Sequence, residues 1–368
     1  MISGCQYDKT LFAQDAMSAA FDPRATGSHL EQAVQEIINW VYGTFGEHVD
    51  WMQTLLLASL PLFITTLGLE WQWVRYRSGS RTAAIENGFT PQNILVNMSL
   101  GVSFSIVDFL MHLVFVGAIM AFAWDHRVFT IPINAWTLLP IFLLEELTFY
   151  VYHRTAHRVR WFWAQHVGHH SGETMNMSTA ARQSVLNAVL GVWLFLVPPV
   201  FLGIHPGVFG AMLGINLAYQ WFVHTEIVSK LHPALEWLFN TPSNHRVHHG
   251  RNPQYIDRNF GGVLMIYDHL FSSYEPENER VEYGIPRQIR SNNWFVLNLH
   301  EFVDMWRDAI APGTLTERLK HFWKPPEWER EGHAPVHTWT VERIDTGAEA
   351  APRLESLKSQ QNLAFSHS

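Results

Sequence analysis

The chain of 368 residues contains a single cysteine, Cys5. One thiol cannot form a disulfide within the chain, and it cannot supply the ligands of an iron–sulfur cluster or of a cysteine-based zinc site. Charged residues are also scarce, at 16% of the chain, whereas soluble domains average about 25%. Any metal must therefore be held without thiolate, and the apolar composition favours a membrane protein.

Other classes are excluded by what the sequence does not contain. The net charge of −8 provides no basic surface for nucleic acid, so we expect no nucleic-acid partner. No GxGxxG or GxxxxGK[ST] motif is present, which argues against a tightly bound nucleotide. Residues 1–28 contain Asp8, Asp15 and Asp22 and lack the apolar core of a cleaved signal peptide.

Histidine, by contrast, is abundant and clustered. Three motifs, HRTAH, HVGHH and HRVHH, contain eight of the 21 histidines: His153, His157, His166, His169, His170, His245, His248 and His249. Residues spaced i, i+3 and i+4 share one helix face, so each motif can direct its imidazoles toward one point. Imidazole is the commonest metal ligand and suits iron, zinc and copper. Eight such ligands exceed the four positions of a tetrahedral site, which predicts two metals side by side. Bis-histidine haem ligation is the alternative, although adjacent His-His pairs fit it poorly.

Five apolar stretches have about the length that a helix needs to cross a bilayer. They are 52–69, 94–123, 134–152, 184–204 and 207–223. We therefore expect an all-α, integral membrane helical bundle of four to five spans with a cytosolic helical cap. The last two stretches are joined only by His205-Pro206, and whether this hairpin crosses fully or re-enters is open.

Arginines in the short loops predict the orientation. The 70–92 loop carries Arg75, Arg77 and Arg81, and the 153–183 loop carries four more, whereas the opposite side has Arg127. All three histidine motifs are then cytosolic. The N-terminus lies outside, with 29–45 as a predicted interfacial helix.

Several polar residues near the motifs are further candidates. His224 ends the last apolar stretch at the depth of the motifs and is the predicted ninth ligand. Glu146 and Tyr150 continue the stripe of His153 and His157, and an acidic residue inside a span is usually functional or paired. We expect Glu146 to take part in the chemistry by accepting a hydrogen bond from a ligand histidine, whereas Glu145 points elsewhere. Further candidates to bind or orient the metal ligands are Tyr150, Asn244, Asp257 and Asp268.

These motifs, with Glu146 seven residues before the first, resemble the fatty acid hydroxylase/sterol desaturase superfamily. The stretches WFWAQHVGHHSGETMNMSTAARQS and TPSNHRVHHGRNPQYIDRNFGGVLMIYDHLFSSYEPE are similar to its alkylglycerol monooxygenase-like branch. The resemblance implies two irons held by the nine histidines. It also implies that the GRNPQYIDRNFGG stretch, with Asp257 and Asn259, shapes the cap. Ether-lipid enzymes of this kind carry a glutamate where this chain has Arg158, which argues against their reaction and their tetrahydropterin reductant.

The expected function is a di-iron monooxygenase that hydroxylates a C–H bond of a lipid: an acyl chain, a sterol or an ether lipid. It would use O₂ and electrons from a separate reductase or carrier, with a b-type cytochrome, a ferredoxin and a tetrahydropterin all open. Nothing in the sequence identifies the substrate-binding residues. A desaturase on the same site, a histidine-rich metal transporter and a scaffold with a structural metal are the alternatives.

The predicted organisation has three parts: an N-terminal region (1–50), a catalytic domain (51–335) and a polar tail (336–368). Residues 286–323 alternate apolar and charged positions at helical spacing, which predicts cap helices with an ordinary apolar core face. The chain beyond about 340 is polar and is expected to be disordered.

Overall fold

A computed structural model describes residues 49–78 and 88–343. The predicted interfacial helix at 29–45 and the chain after Arg343 lie outside this range. Within it, the long helices are α1 (Trp51–Ser78), α2 (Pro91–Met111), α3 (Gly117–Asp125) and α4 (Ala135–Arg158). A π-helical turn, His112–Val116, joins α2 to α3, so that the two form one continuous rod.

Local sequence sets where these helices begin. Thr90 accepts a hydrogen bond from the Asn93 N–H, with Pro91 in the first turn of α2. Asn134 and Thr137 form a capping box at the start of α4. Large apolar side chains, such as Leu57 on α1 and Val114 between α2 and α3, face outward. The three rods Trp51–Arg77, Pro91–Asp125 and Ala135–Arg158 are long and apolar enough to cross a membrane, so this is an integral membrane protein.

The fourth predicted span, 184–204, lies in a broken segment. This segment consists of a 3₁₀ turn (Met177–Ala181), α6 (Val185–Val189), a second 3₁₀ turn (Val192–Phe195) and α7 (Val197–Leu202). Its two halves are bent by 85°. The apolar stretch at 184–204 is therefore not one continuous helix, and it forms either a broken span or a re-entrant loop. Gly191, at the break, has a φ of 102°, a left-handed conformation that glycine adopts without steric cost.

The broken segment nevertheless joins the two ends of the bundle. Its final carbonyls, of Phe201 and Gly203, accept hydrogen bonds from Val128 and Ile131 in the loop between α3 and α4. Helix α8 (Pro206–Val223) then returns along α1, with Phe63 and Trp221 stacked at 4.6 Å. The described residues thus contain three candidate spans, or four if the bent pair is one span, and α8 does not meet the same criterion of length and hydropathy.

Shorter elements form a helical cap at the end of the bundle where α1 and α4 finish. They are α5 (Arg160–His170), α9 (Pro233–Leu238), α10 (Pro242–His248), α11 (Ile266–Leu270), β1 (Arg287–Gln288), α12 (Trp294–Ile310), α13 (Leu315–Trp323) and β2 (Glu342–Arg343). Within the described part of the chain, β1 and β2 make the only sheet, an antiparallel pair in which Arg287 lies opposite Arg343. The predicted all-α membrane bundle with a helical cap is confirmed.

Helix α12 corrects one expectation. Its acidic residues Glu301, Asp304 and Asp308 are buried, while Phe295, Trp306 and Ile310 are exposed. Leu297 and Met305 do pack in the core as expected, but other large apolar residues of this helix face outward. The polar face turns inward because it binds a buried arginine, Arg160, on α5.

Candidate metal centre

The nine predicted histidine ligands converge in two neighbouring groups. The five-histidine group is His153, His157, His166, His170 and His248, and the four-histidine group is His169, His224, His245 and His249. Within each group one ring nitrogen of every residue lies within 4.8 Å of all the others, and every side chain is buried. Two sets of convergent, buried nitrogen ligands are thus built from residues that the sequence spreads over nearly a hundred positions.

Helical spacing explains how the motifs are shared. On α5, His166 and His170 are one turn apart and enter the five-histidine group, while His169 enters the other. At α10 the division is reversed, since His248 joins the five-histidine group and His245 and His249 join the four. Each of the motifs HVGHH and HRVHH therefore contributes to both groups. The first gives two histidines to the five-histidine group and one to the other, and the second gives one and two.

The remaining ligands come from the ends of long helices. His153 and His157 lie one turn apart on α4 and complete the five-histidine group, and His224 follows directly after α8 and completes the other. The two groups are in direct contact, because the rings of His170 and His249 stack with their centroids 4.3 Å apart. Two ions held by these groups would be neighbours.

Backbone carbonyls select the tautomer of three ligands. The Nδ1 atoms of His153, His224 and His248 donate to the carbonyl oxygens of Phe260, Gln220 and Arg258 at 2.9, 2.6 and 3.0 Å. A carbonyl only accepts, so the proton must be on Nδ1 and Nε2 carries a free lone pair. Metal-binding histidines are oriented in the same way.

The donor atoms themselves fit a cation. His153 Nε2 and His166 Nε2 are 3.0 Å apart, and His224 Nε2 and His245 Nε2 are 2.8 Å apart. Two imidazole nitrogens face each other this closely only with a proton or a cation between them. The buried Nε2 atoms of His157 and His248 have no hydrogen-bond partner, an arrangement that costs about 1–3 kcal/mol per group unless a ligand satisfies it.

Electrostatics keep these side chains neutral. Burial, followed by repulsion from neighbouring imidazoles, holds the pKa of His166, His170, His245 and His248 well below the usual range. Because neutral imidazole is the form that binds metal, the ligands need not lose a proton first.

Asp257 supplies a carboxylate beside the five-histidine group. Its Oδ1 lies 3.5 Å from His157 Nδ1, and its Oδ2 lies 3.0 Å from the Nε of Arg158. The backbone of Asp257 is left-handed, with φ of 58°, which is uncommon for a residue other than glycine. The loop thus places Asp257 where it can orient His157.

Glu146 does not have the contact that the sequence led us to expect. It accepts hydrogen bonds from the Val263 and Leu264 N–H groups at 3.0 and 2.7 Å and from the Asn216 amide at 2.7 Å. Glu146 lies seven helical residues from His153, about 10 Å along the axis. The hydrogen bond from His153 Nδ1 is accepted by the Phe260 carbonyl instead. Glu145 also accepts from Asn216, at 3.2 Å, and so binds the same amide rather than pointing away.

Tyr150 and Asp268 are connected to the candidate ligand His153 through intermediate groups. The Tyr150 hydroxyl lies 2.8 Å from Ser273 Oγ, which donates to Asp268 at 2.7 Å. Asp268 accepts from the Phe260 N–H at 2.8 Å. This series of hydrogen bonds holds the Phe260 peptide, whose carbonyl orients His153.

Asn244 and Asn259 hold α10 in place. The Asn244 amide donates to the Glu236 carbonyl at 2.7 Å, and the Asn259 amide donates to the Asn244 carbonyl at 3.0 Å. Asn244 therefore supports the helix that carries His245 and His248, as the GRNPQYIDRNFGG stretch supports it through Asn259.

Sequence reasoning missed the ion-pair network behind α5. Arg160 binds Glu301 at 2.6 Å and Asp308 at 2.7 Å, and Arg287 binds Glu301 at 2.8 Å. Burial alone would raise the pKa of Glu301, but Arg287 and Arg160 hold it at about 2. Glu301 and Asp308 lie 141 and 148 residues from Arg160, so no local sequence pattern predicts these ion pairs.

Residues 138–273, which contain all nine histidines, match the family model of the fatty acid hydroxylases. The chain is also 34% identical over 280 residues to an alkylglycerol monooxygenase of Xenopus tropicalis, covering 76% of this chain and 60% of that protein. Residues 138–273 are thus similar to the fatty acid hydroxylases. The relatives support a place in this superfamily, in its alkylglycerol monooxygenase-like branch.

Two further relatives show how far the similarity extends. The human alkylglycerol monooxygenase is 40% identical over 209 residues, 56% of this chain and 46% of that protein. Ornithine lipid hydroxylase OlsE of Rhizobium tropici is 25% identical over 149 residues, 40% of this chain and 45% of the relative. The chain thus spans about half the length of such curated relatives. No solved structure matches it significantly.

Proposed function

We propose that this protein is a membrane-bound di-iron monooxygenase that hydroxylates a C–H bond of a lipid, using O₂ and electrons from a separate donor. The observation that supports this most directly is the pair of adjoining, buried, all-histidine groups. Five and four neutral imidazoles would each hold one iron. The catalytic unit is proposed to extend over residues 51–335.

Iron bound at these histidines supplies the capacity to reduce O₂ and to oxidise an unactivated C–H bond. The protein's own contribution is orientation and burial. His153, His224 and His248 keep their protons on Nδ1, through the carbonyls that they bind, so that Nε2 stays available. Burial of all nine rings excludes bulk water from the ligand atoms.

The proposed substrate is an ether-linked or acyl lipid. Relatives named alkylglycerol monooxygenase and ornithine lipid hydroxylase support a lipid. Arg158 stands where the ether-lipid enzymes that the chain resembles have a glutamate. However, Asp257 brings a carboxylate to 3.5 Å from His157 and pairs with Arg158. The ether-lipid reaction therefore stays among the proposed activities.

We place the metal centre on the cytosolic face. The cap end of the bundle carries Arg75 and Arg77 at the end of α1 and Arg154 and Arg158 at the end of α4. Arginine at span ends favours the cytosolic side. There a reductase, working through a b-type cytochrome, a ferredoxin or a tetrahydropterin, could deliver electrons.

Comparative mass spectrometry of membrane lipids tests this function. Cells supplied with iron and a reductant source would express the wild type, His248→Ala, or the control His126→Ala, which removes an exposed histidine outside both groups. We expect one lipid class to gain an oxygen atom with the wild type and the control but not with His248→Ala. Depletion of ether lipids with release of aldehyde would identify ether cleavage.

Other outcomes would redirect the assignment. Loss of two hydrogens from the same lipid would indicate a desaturase, which shares the first hydrogen abstraction. Identical lipids from all three strains, with the wild type loaded with iron, would contradict the monooxygenase proposal. Metal flux without oxygen consumption would then indicate a transporter.

A further inference from the structure

The outer surface of α12 and α13 is apolar. Six large side chains on these two helices are exposed, and we call them the apolar platform: Phe295, Trp306, Ile310, Leu315, Leu319 and Trp323. Ile310 and Leu315 are 65% and 67% exposed. A cluster of this kind on a cap otherwise surrounded by water would be unfavourable.

The inner surface of the same helices carries buried charged and polar residues. Glu301, Asp304 and Asp308 of α12 and His321 of α13 are all buried. Glu301 and Asp308 bind Arg160 of α5. An amphipathic helix in water turns its apolar stripe to the core and its charges outward. Here acidic residues are buried together with Leu297 and Met305, while large apolar side chains face outward, as expected of helices whose outer face contacts something other than water.

The position of α12 along the spans indicates what its outer face contacts. The Trp294 indole N–H donates to Ser103 Oγ of α2 at 3.1 Å. Ser103 precedes Asp125, at the far end of the same continuous rod, by 22 residues, about 33 Å of helix. This length matches the thickness of the hydrocarbon core, about 30 Å, so a rod that enters the core at Asp125 would leave it near the contact with α12.

Aromatic side chains extend from the membrane segment to the platform. Phe195 of the bent span contacts Phe162 of α5 at 5.4 Å, next to Trp161. Trp161 contacts Phe322 of α13 at 5.9 Å, and Phe322 contacts Trp306 at 4.9 Å. Tryptophan is enriched at this level of a bilayer, where its ring is partly in contact with water.

We propose that the apolar platform is inserted into the boundary between headgroups and acyl chains of the leaflet on the cap side. Helices α12 and α13 are then an in-plane membrane contact in addition to the spans. Because Arg160 ties α12 to α5, this contact is linked directly to the helix that supplies three of the histidines. The proposed occupant is the lipid surface itself.

The single cysteine makes the test direct. In a Cys5→Ser background, one cysteine is introduced at Ile310 or Leu319, labelled with the fluorophore NBD, and the full chain is reconstituted in phosphatidylcholine vesicles. Val114→Cys, 77% exposed in the middle of the α2–α3 rod, is the deep-lipid control. Glu282→Cys, with a side chain 67% exposed in a charged loop, is the water control.

Quenching by lipids carrying a doxyl group at carbon 5 or carbon 12, and by aqueous iodide, locates each label. We expect the Ile310 and Leu319 labels to be quenched most by the carbon-5 lipid and little by iodide. The Val114 label should respond most to the carbon-12 lipid, and the Glu282 label to iodide. Platform labels that behave like the Glu282 label would overturn the proposal. Labels protected from both quenchers would also overturn it, since they would place a protein, such as a second copy, on the platform.

Discussion

The two histidine groups share the same motifs but are held by different parts of the chain. In the five-histidine group, His153 and His248 donate to carbonyls of the loop at residues 258–260, and His157 lies beside Asp257 of the same loop. In the four-histidine group, His224 donates to the carbonyl of Gln220, one turn back on its own helix. One group therefore depends on a distant loop, whereas the other relies more on a helix end. Two groups with similar histidines can therefore differ in how firmly those histidines are oriented.

Removing one ligand from each group should have the largest effect. His248→Ala and His245→Ala change neighbouring positions of α10 but different groups. Each variant is expected to lose the ion of its own group and all hydroxylase activity, because an incomplete ligand set holds metal weakly. Metal analysis and Mössbauer spectroscopy of ⁵⁷Fe-loaded protein would measure this, with His126→Ala as the control. Equal loss of both ions in both variants would mean that the groups bind as one unit.

A change behind α5 should abolish the difference between the groups, because α5 supplies both. Glu301→Gln leaves Arg160 and Arg287 without their shared carboxylate. Breaking a buried ion pair in this way costs about 3–5 kcal/mol. We expect a lower unfolding temperature and weaker iron binding in both groups together. Glu331→Gln, at an exposed position, should change neither. Loss from one group alone would contradict this role of α5.

The same network predicts a response to acid. Arg287 and Arg160, acting against burial, hold the pKa of Glu301 at about 2, compared with 4.5 for a free glutamate. A depressed folded-state pKa adds stability that is complete above the unfolded value and is lost as the pH falls toward the folded value. Wild-type stability should therefore decline between about pH 4.5 and 2. Unfolding measured across this range should show a shallower decline in Glu301→Gln, and an unchanged slope would count against the network.

Asp257→Asn should affect the five-histidine group alone. Groups that orient a metal-bound histidine typically change metal affinity by about 10–100-fold when they are replaced. We expect iron affinity to fall by this factor in the group that contains His157 and to stay unchanged in the other, which serves as the internal control. Competitive chelation followed by spectroscopy would measure both. Equal weakening of the two groups would show that Asp257 supports the fold of the cap instead.

The smallest effect is expected from Arg158→Gln. The Arg158 side chain is 52% exposed, and exposed ion pairs contribute about 0–1 kcal/mol. Stability should change within that range, and Asp257 should stay beside His157. Thermal unfolding and iron content would check this. Selective loss of iron from the five-histidine group would show that the arginine is needed to position Asp257.

Some of the centre could be predicted because it depends on local periodicity. His153 and His157, like His166 and His170, share a face wherever a helix forms, so convergence on metal could be inferred without the structure. The hydrogen-bond partners of Glu146 could not be predicted in this way. Its partners, Val263 and Leu264, lie more than a hundred residues away, and the spacing of Glu146 from His153 suggested a contact that the axial rise of the helix prevents.

Apolar length and the spacing of histidines are properties of short segments, so the helical class, the membrane character and the candidate ligands could be predicted from the sequence. The division of nine histidines into five and four could not, because it depends on how α4, α5, α8 and α10 meet in the fold. The fold also decides which acidic residues of α12 are buried. An amphipathic pattern defines two faces, but the position of Arg160, on a distant helix, draws Glu301 and Asp308 inward.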